Sequence, residues 1–405
     1  MSATAHRRCA GSSRSCASAA EPGRLVAPPL CLYIHIPYCV RKCPYCDFNS
    51  HALDDGTAPE DDYAQALLRD LAFEAPLARS RPVDSIFFGG GTPSVLSPAA
   101  IARIVDVAAA RLRLAPGVEI TLEANPGTVD QARFAGYRAA GVNRLSLGIQ
   151  SFDDASLRRL GRIHGRREAL AAVDSARRAG FDNINLDLMF ALPGQDLAKA
   201  RADVELACSL APQHISYYQL TLEPGTAFFH RPPPLPGDEL AWDMQLQGQA
   251  LLAANGYRQY EVSAYAVDAR QCHHNRNYWR FGDYLGVGAG AHGKLTEPEA
   301  DRVMRRARVR LPRRYLQHAG GADVVAEQRE VTRAERRLEF ALNALRLRSG
   351  FDVPWFEAAT GLAAASLDAP LERAASLGLI ERENGEVRAS ELGWRHLNAL
   401  IELFM

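Results

Sequence analysis

Alternation of strand-like and helix-like segments is the feature that most restricts how this chain can fold. Apolar runs rich in β-branched and aromatic residues recur at 32–37, 83–90, 118–124, 144–149, 183–190 and 214–220. Helical patterns separate them, and in one of these Ser97 is placed to cap a helix that Pro98 begins. Strands that alternate with helices form a parallel sheet. We therefore predict an α/β fold whose sheet is either open or barrel-like.

The unusual motifs of the chain fall where the predicted strands end. Three cysteines follow the first strand, GGGTPS follows the second, EANPG the third and GIQSF the fourth, and Asp187 lies within the fifth. Sites of parallel α/β folds lie at the carboxyl ends of the strands. We expect these motifs to share one site.

Size, charge and cysteine usage narrow the functional class. The chain has 405 residues, which suggests two or three domains, and its formal net charge is zero. Zero net charge argues against a nucleic-acid partner, since nucleic-acid binding usually needs a basic excess. Three of the 8 cysteines cluster, which indicates a metal site in a reducing, cytoplasmic compartment rather than disulfides.

Composition suggests four segments. Residues 1–29 are rich in Ala, Ser and Arg and read as a disordered tail, with a targeting peptide as the alternative. Residues 30–230 hold the strand–helix alternation, and 231–325 form an extension and linker. Two helices, a hairpin-like run and a last helix make 326–405 similar to a small winged-helix-like domain. The arginine-rich segment 302–314 reads as a loop, either a solvated face or a transient membrane contact.

Cys39, Cys43 and Cys46 form a C-x3-C-x2-C pattern. A [4Fe–4S] cluster usually has four cysteine ligands, so three leave one iron open for another ligand. An open metal position is typical of catalytic rather than structural sites. A zinc site is the alternative, with Cys272, His35 or His51 as the fourth ligand.

The cysteine motif, with Tyr45 just before its third cysteine, resembles the signature of radical S-adenosylmethionine (SAM) proteins. The resemblance implies a partial TIM-like (β/α)6 barrel in which Cys39, Cys43 and Cys46 hold a [4Fe–4S] cluster and the open iron chelates SAM. GGGTPS resembles the motif that binds the methionine amino group of SAM. The cofactor contacts that the resemblance implies are Tyr33, Tyr45, Gly90, Gly91, Thr92, Glu123, Gln150, Arg162 and Asp187.

Six motifs in order, among them YIHIPYCVRKCPYC, EANPGT and LDLMFALPGQ, look like one branch of this superfamily. It contains oxygen-independent coproporphyrinogen III dehydrogenase and the similar haem chaperones of HemW type. The dehydrogenases carry a further cysteine where this chain has Phe48. His274-Asn275-x-x-Tyr278 is similar to the H-N-x-x-Y motif of the chaperones, whose histidine is tied to haem binding. His274 and Tyr278 are therefore the implied haem contacts, with His273 or Cys272 as alternative iron ligands.

The resemblance favours a haem chaperone over an enzyme. Such a protein would bind haem, a [4Fe–4S] cluster and SAM, accept electrons from a donor such as flavodoxin or ferredoxin, and deliver haem to apo-proteins, including membrane-bound respiratory ones. The alternative is the oxidative decarboxylation of coproporphyrinogen III by an oxygen-independent dehydrogenase.

Overall fold

The computed structural model describes residues 23–53 and 57–405. The strands of these residues are β1 (Leu30–Ile36), β2 (Tyr38–Cys39), β3 (His51–Ala52), β4 (Val83–Gly90), β5 (Leu114–Ala124), β6 (Arg144–Gln150), β7 (Ile184–Phe190), β8 (His214–Gln219), β9 (Arg258–Glu261), β10 (Ala264–Ala266), β11 (Asp283–Val287), β12 (His292–Glu297), β13 (Arg302–Arg308), β14 (Val325–Val331), β15 (Phe351–Asp352), β16 (Ile380–Glu383) and β17 (Glu386–Ala389).

The α-helices of the same residues are α1 (Glu60–Glu74), α2 (Pro98–Arg111), α3 (Gln131–Ala139), α4 (Asp154–Arg159), α5 (Arg166–Arg178), α6 (Leu197–Ser209), α7 (Ala227–His230), α8 (Asp238–Ala254), α9 (His273–Trp279), α10 (Pro312–His318), α11 (Arg333–Ala344), α12 (Val353–Thr360), α13 (Asp368–Ser376), α14 (Glu391–Arg395) and α15 (Leu397–Glu402). Ser97 caps α2 by accepting a hydrogen bond from the Ala100 N–H, and Pro98 begins the helix, as predicted. None of the helices in the described ranges is long and apolar enough to cross a membrane.

The six predicted strands form the parallel centre of a 12-stranded sheet, in the order β1-β4-β5-β6-β7-β8. The α/β prediction is therefore confirmed. Each strand lies beside the next one along the chain, which is the arrangement of a barrel wound in one direction. In the part of the chain described, the sheet stays open, because β1 pairs with β11 and β8 with β10.

Side-chain alternation gives the two faces of this sheet different characters. Leu30, Leu32 and Ile34 of β1 belong to the apolar core that the outer helices cover. The opposite, inner face is polar and carries Glu119, Glu123, Arg144, Asn185, Asp187 and His214. Since successive strand residues point to opposite faces, one strand supplies both the core and the site.

An antiparallel extension, β11–β14, continues the sheet beyond β1. The prediction that 302–314 is a loop was wrong, since Arg302–Arg308 form β13. Its basic side chains have acidic partners: Arg308 is buried between Asp70 and Glu74 of α1, and Arg305 pairs with Glu339 of α11. These partners lie far away in the sequence, so the segment alone reads as unpaired charge.

The C-terminal residues build a second apolar core, which includes Phe340, Phe351 and Phe356. Helices α11–α15 surround a small sheet in the order β15-β17-β16, and this agrees with a winged-helix-like unit. Of the predicted tail, residues 1–22 lie outside the described residues, whereas Leu25 packs into this second core. The division at 29, 230 and 325 stays a prediction, although strands on both sides of residue 230 share one sheet.

Candidate cofactor site

The cysteine loop is held at both of its ends. Cys39 lies in β2, directly after β1, while Cys43 and Cys46 follow in the loop. The Lys42 ammonium donates to the carbonyls of Phe48 (3.3 Å) and Ser50 (3.0 Å), which closes the loop on itself. The Asn49 side-chain amide donates to the carbonyls of Ala289 and Arg310, both at 2.9 Å. These contacts fix the cysteines relative to the sheet before any ligand binds.

Each cysteine sulfur has a polar neighbour. The Thr92 hydroxyl donates to Cys39 Sγ (3.4 Å), and Ser50 Oγ lies 3.6 Å from Cys46 Sγ. Arg162 Nη1 donates to Cys43 Sγ (3.6 Å). Burial raises the pKa of Cys39 and of Cys46, so these thiols keep their protons until a cation or metal offsets the desolvation of the thiolate.

The glycine turn after β4 packs against the chain that leads into the cysteine loop. Gly91 N–H donates to the Ile36 carbonyl (2.7 Å) and Thr92 N–H to the Tyr38 carbonyl (2.8 Å). A Cβ atom on Gly91 would lie 2.7 Å from the Tyr38 oxygen, and Gly90 has a φ of +113°. Only glycine tolerates both conditions. The glycines thus bring Thr92 to Cys39.

The predicted motifs meet in one cavity of about 360 Å³ at the carboxyl ends of the strands. The predicted residues that line it are Cys39, Cys43, Tyr45, Cys46, Gly90, Gly91, Thr92, Glu123, Gln150, Arg162 and Asp187. Sequence reasoning missed Ser146, Ser216 and Tyr218, which also line it. These serines and the tyrosine lie on β6 and β8 and belong to no sequence motif. Only the alternation of side chains along each strand indicates that they face the inside of the sheet.

Two carboxyl groups of the cavity form no direct ion pair within the described part of the chain. Burial, with the nearby Asp187 as the next cause, raises the pKa of Glu123 to about 8, and its carboxylate accepts one hydrogen bond, from Gly90 N–H (3.3 Å). Burial also raises the pKa of Asp187, although Asn185 and Ser146 donate to it at 2.8 and 3.0 Å. Among the described residues neither group forms a direct ion pair, and the buried Arg144 guanidinium only partly offsets the rise of their pKa values through space. The pair therefore suits a ligand that brings its own positive charge.

The opposite wall of the cavity is cationic and amide-bearing. Arg162 Nη2 donates to the Gly148 carbonyl (2.7 Å), so the guanidinium bridges β6 and the cysteine loop. Gln150 has a φ of +69°, and its side-chain oxygen accepts a hydrogen bond from the Tyr218 hydroxyl (2.8 Å). A left-handed non-glycine residue is strained, and such strain concentrates at functional sites. The cavity thus offers both carboxyl groups and a guanidinium.

Tyr33 does not line this cavity. His35 Nε2 lies 2.8 Å from the Asn49 carbonyl and donates to it, so His35 Nδ1 accepts the Tyr33 hydroxyl proton at 3.0 Å. The Tyr33 ring lies near Phe87 and His274 instead. Tyr33 therefore lies on the inner face of β1 and not at the mouth of the cavity.

Helix α9, which carries the H-N-x-x-Y motif, lies against the inner face of the barrel strands. Glu119 of β5 accepts hydrogen bonds from the N–H groups of His273 (2.9 Å) and His274 (3.3 Å) and so holds the first turn. Asn275 and Trp279 line the cofactor cavity. The motif is therefore a neighbour of the cysteine loop in space, which its sequence position did not indicate.

His274 and Tyr278 point away from the cavity. His274 is 4% exposed, with Nδ1 3.2 Å from Ser85 Oγ and its ring centroid 4.8 Å from that of Phe87. Burial lowers the pKa of His274 to about 3, so the imidazole is neutral, and its Nε2 has no hydrogen-bond partner within the described structure. Tyr278 stacks on Tyr284 with centroids 4.3 Å apart.

The arrangement fits an iron–sulfur cluster better than zinc. No group of three or more His, Cys, Asp or Glu side chains in the described ranges is placed to hold a single metal ion. Cys272 donates to Glu119, His35 bonds Tyr33 and Asn49, and His51 lies outside the cavity lining. Cluster thiolates each bind a different iron and need not meet at a point. Three thiols around one cavity, with an arginine beside them, satisfy that requirement.

Comparison with known proteins defines the class. Residues 33–207 match the radical SAM superfamily, and residues 331–396 match the HemN C-terminal domain. The solved structure of coproporphyrinogen III oxidase (HemN) from Escherichia coli, a radical SAM enzyme, has a TM-score of 0.80 at 23% identity and covers 93% of this chain and 90% of that chain. The fold is that of a radical SAM protein.

Curated relatives refine the class. A protein named heme chaperone HemW from Escherichia coli is 49% identical over 378 residues, which are 93% of this chain and 98% of that protein. A heme chaperone HemW from Haemophilus influenzae is 47% identical, over 93% of this chain and 98% of that protein. The chain belongs to the HemW family of the radical SAM superfamily.

Proposed function

We propose that this protein is a haem chaperone, which binds haem together with a [4Fe–4S] cluster and SAM and passes the haem to apo-proteins. The observation that carries the proposal is its 49% identity to a protein named heme chaperone over 98% of that protein's length. The likeness to coproporphyrinogen III oxidase lies at 23% identity and speaks for the fold alone. Phe48, which is 61% exposed, stands in place of the dehydrogenases' further cysteine and offers no metal ligand.

Cys39, Cys43 and Cys46 are the proposed cluster ligands. Each thiol must lose a proton to bind iron, and Arg162 Nη1 donates to Cys43 Sγ at 3.6 Å. The hydrogen bonds of Lys42 and Asn49 keep the loop in place while iron enters. When bound, the cluster and SAM together supply one-electron chemistry that the side chains cannot perform themselves.

The proposed SAM contacts divide by charge. Glu123 and Asp187 are placed to accept hydrogen bonds from an ammonium or from ribose hydroxyls, and Arg162 is placed to donate to a carboxylate. Thr92 and the glycine turn would hold the methionine end beside Cys39. Tyr45, half-buried beside Arg162 and in contact with Phe228, would cover one side of the bound cofactor.

His274 and Tyr278 are the proposed haem contacts of the H-N-x-x-Y motif. A neutral imidazole nitrogen without a hydrogen bond, as in His274, is able to ligate haem iron. It is enclosed by Phe87 and Tyr278, so an iron atom reaches it only if α9 moves. His273, which is exposed, and Cys272, whose pKa burial raises to about 12, are the alternatives in the motif.

The partners follow from this role. We place the protein in the cytoplasm, where a donor such as flavodoxin or ferredoxin reduces the cluster. The acceptors are apo-proteins that lack their haem, including respiratory proteins in the membrane.

Reconstitution tests the proposal. The full chain is loaded anaerobically with iron and sulfide, and its iron content is compared with that of Cys39→Ala and of a control, Cys208→Ala, whose thiol lies in α6 away from the cavity. We expect about four iron atoms per chain for the wild type and the control, and a loss in Cys39→Ala. Haem is then titrated with and without SAM. The absence of any Soret shift in cluster-loaded wild type would refute the chaperone function.

A further inference from the structure

Helix α9 is held at its two ends by different parts of the molecule. Its first turn is bonded to the parallel sheet, where the Glu119 carboxylate of β5 accepts hydrogen bonds from the N–H groups of His273 (2.9 Å) and His274 (3.3 Å). Its last turn lies against the C-terminal unit, which consists of α11–α15 and β15–β17. The helix therefore connects the parallel sheet to the C-terminal unit.

Two arginine–tryptophan contacts join the end of α9 to the C-terminal unit. The Arg346 guanidinium, which follows α11, lies over the Trp279 ring of α9 with its carbon 4.2 Å from the ring centroid. In the reverse sense, the Arg280 guanidinium lies over the Trp355 ring of α12 at 4.5 Å. A guanidinium is attracted to the face of an indole ring at such distances. Both contacts therefore stabilise the observed position of the helix.

The backbone just after α9 is strained. Phe281 has a φ of +54°, which is costly for a bulky side chain. Its ring is 1% exposed and lies in the second apolar core, with its centroid 6.1 Å from that of Phe340. The Lys294 ammonium lies 4.0 Å from the same centroid. Packing against the C-terminal unit thus maintains a conformation that the backbone alone disfavours, and residues at element ends of this kind can act as hinges.

Arg346 also reaches the wall of the cofactor cavity. Its Nη2 lies 3.5 Å from Oε2 of Glu261, which is 3% exposed. Glu261 and Trp279 both line that cavity. The Arg348 N–H donates to a carbonyl of β9 (3.0 Å), so the segment after α11 is fixed to the sheet. Arg346 therefore contacts Trp279 from a fixed position.

We propose that Arg346 is a positioning residue that holds α9 closed over the His274 imidazole, and that haem binds after the C-terminal unit releases the helix. His274 is 4% exposed while the helix is in this position. Movement of α9 away from the C-terminal unit would break both arginine–tryptophan contacts, so weakening either contact shifts the population towards the open state. The proposal rests on the haem-chaperone function and adds to it the control of access to the haem motif.

Hydrogen exchange and haem titration of full-chain variants test the proposal. Arg346→Ala and Arg280→Ala each remove one of the two contacts, and Arg280 is exposed. Arg395→Ala is the matched control, because it removes a guanidinium 5.1 Å from the Trp242 ring centroid, between α14 and α8. Mass spectrometry follows amide exchange in α9 without haem, and the cluster-loaded variants are then titrated with haem. Far-UV circular dichroism verifies that each variant is folded.

We expect Arg346→Ala and Arg280→Ala to speed amide exchange in α9 and to lower the Kd for haem, each by about threefold or more, because an open helix is the competent state. Arg395→Ala should leave both quantities within about twofold of wild type. The gain in affinity should depend on His274, so Arg346→Ala combined with His274→Ala should bind haem no more tightly than His274→Ala alone.

Three results would overturn the positioning role: unchanged exchange in α9, haem affinity that falls instead of rising, or a gain that persists without His274. If Arg346→Ala fails to fold, Arg280→Ala decides the outcome by the same measurements. Any of these results leaves the chaperone function intact, since wild type still binds haem. A wild-type chain that binds no haem refutes the function itself, whereas the exchange measurement still shows whether the C-terminal unit holds α9.

Discussion

Two regions of this molecule bury charge in opposite ways. In the antiparallel extension, the buried charges are paired: Arg308 lies between Asp70 and Glu74, and Lys294 pairs with Asp283 at 3.0 Å. In the cofactor cavity, Glu123 and Asp187 accept hydrogen bonds from neutral donors and form no direct ion pair among the described residues, and the buried Arg144 acts on them only through space. Paired buried charges fix a structure, whereas unpaired ones cost folding free energy that a bound ligand can recover. The presence or absence of direct ion pairs therefore distinguishes the structural scaffold from the cofactor site without reference to any sequence motif.

The largest effect is expected from the scaffold. Arg308→Ala leaves the carboxylates of Asp70 and Glu74 buried without their guanidinium and should lower the free energy of unfolding by about 3–5 kcal/mol. Chemical denaturation of the apo-protein measures it. Arg201→Ala, which removes an exposed pair with Glu205, is the control and should cost about 0.3–0.5 kcal/mol. If Arg308→Ala lowers the free energy of unfolding by as little as the control does, the buried ion pairs do not stabilise the scaffold and the comparison of the two regions fails.

Glu123→Gln should have the opposite effect on stability from Arg308→Ala. It removes an unpaired buried carboxylate, so the apo-protein should be as stable as the wild type or more so, while the Kd for SAM rises by about tenfold or more. Calorimetric titration of cluster-loaded protein gives the affinity, and thermal unfolding gives the stability. Glu205→Gln, on the exposed face of α6, should leave the Kd for SAM unchanged and lower the free energy of unfolding by no more than about 0.3–0.5 kcal/mol. If Glu123→Gln destabilises the chain as Arg308→Ala does, Glu123 belongs to the scaffold.

The pH dependence of stability sharpens the same point. The pKa of Glu123 is raised in the folded state to about 8, so the folded protein binds a proton that the unfolded chain releases. Its stabilising effect is complete below the ordinary carboxyl pKa of ~4.3 and is lost as pH rises towards 8. Between pH 5 and 8, wild-type apo-protein should lose about 1 kcal/mol or more relative to Glu123→Gln. Urea denaturation at each pH measures the free energy of unfolding of the two proteins. If the two free energies change with pH in the same way, the prediction is contradicted.

The smallest effect is expected at the mouth of the cavity. Phe48 is 61% exposed, so Phe48→Cys should change the free energy of unfolding by less than about 0.5 kcal/mol. The variant regains the further cysteine of the dehydrogenases, yet the haem titration should be unchanged and no coproporphyrinogen III should be consumed under reducing anaerobic conditions. Chromatography of the porphyrin products checks this. Turnover by the variant would mean that one residue separates the two activities.

Local pattern is what made the parallel centre predictable. The apolar runs at 83–90 and 144–149 became β4 and β6 because their alternation records which side chains face the outer helices. The cysteine and glycine motifs were equally easy to identify from the sequence, because the residues of each motif lie close together in the chain. The cavity followed from a topological rule about strand ends rather than from any single residue.

Long-range partners explain what the sequence did not reveal. Arg308 and Asp70 are 238 residues apart, so the arginines of β13 read as a free basic loop. The spacing of His274 and Tyr278 is helical, but it does not show that α9 lies inside the barrel, where Glu119 of β5 holds its first turn. In the sequence, nothing distinguishes Asn49 from other polar residues. Its role is visible only in the structure, where its amide donates to the carbonyls of Ala289 and Arg310.

That amide has a thermodynamic consequence. Ala289 precedes β12 and Arg310 follows β13, so Asn49 connects the loop of Cys46 to both ends of the hairpin that bears His292. A ligand that displaces the hairpin also displaces the cysteine loop. Reciprocity then applies: whatever factor a ligand of the hairpin imposes on affinity at the cysteine loop, a ligand of that loop imposes on affinity at the hairpin.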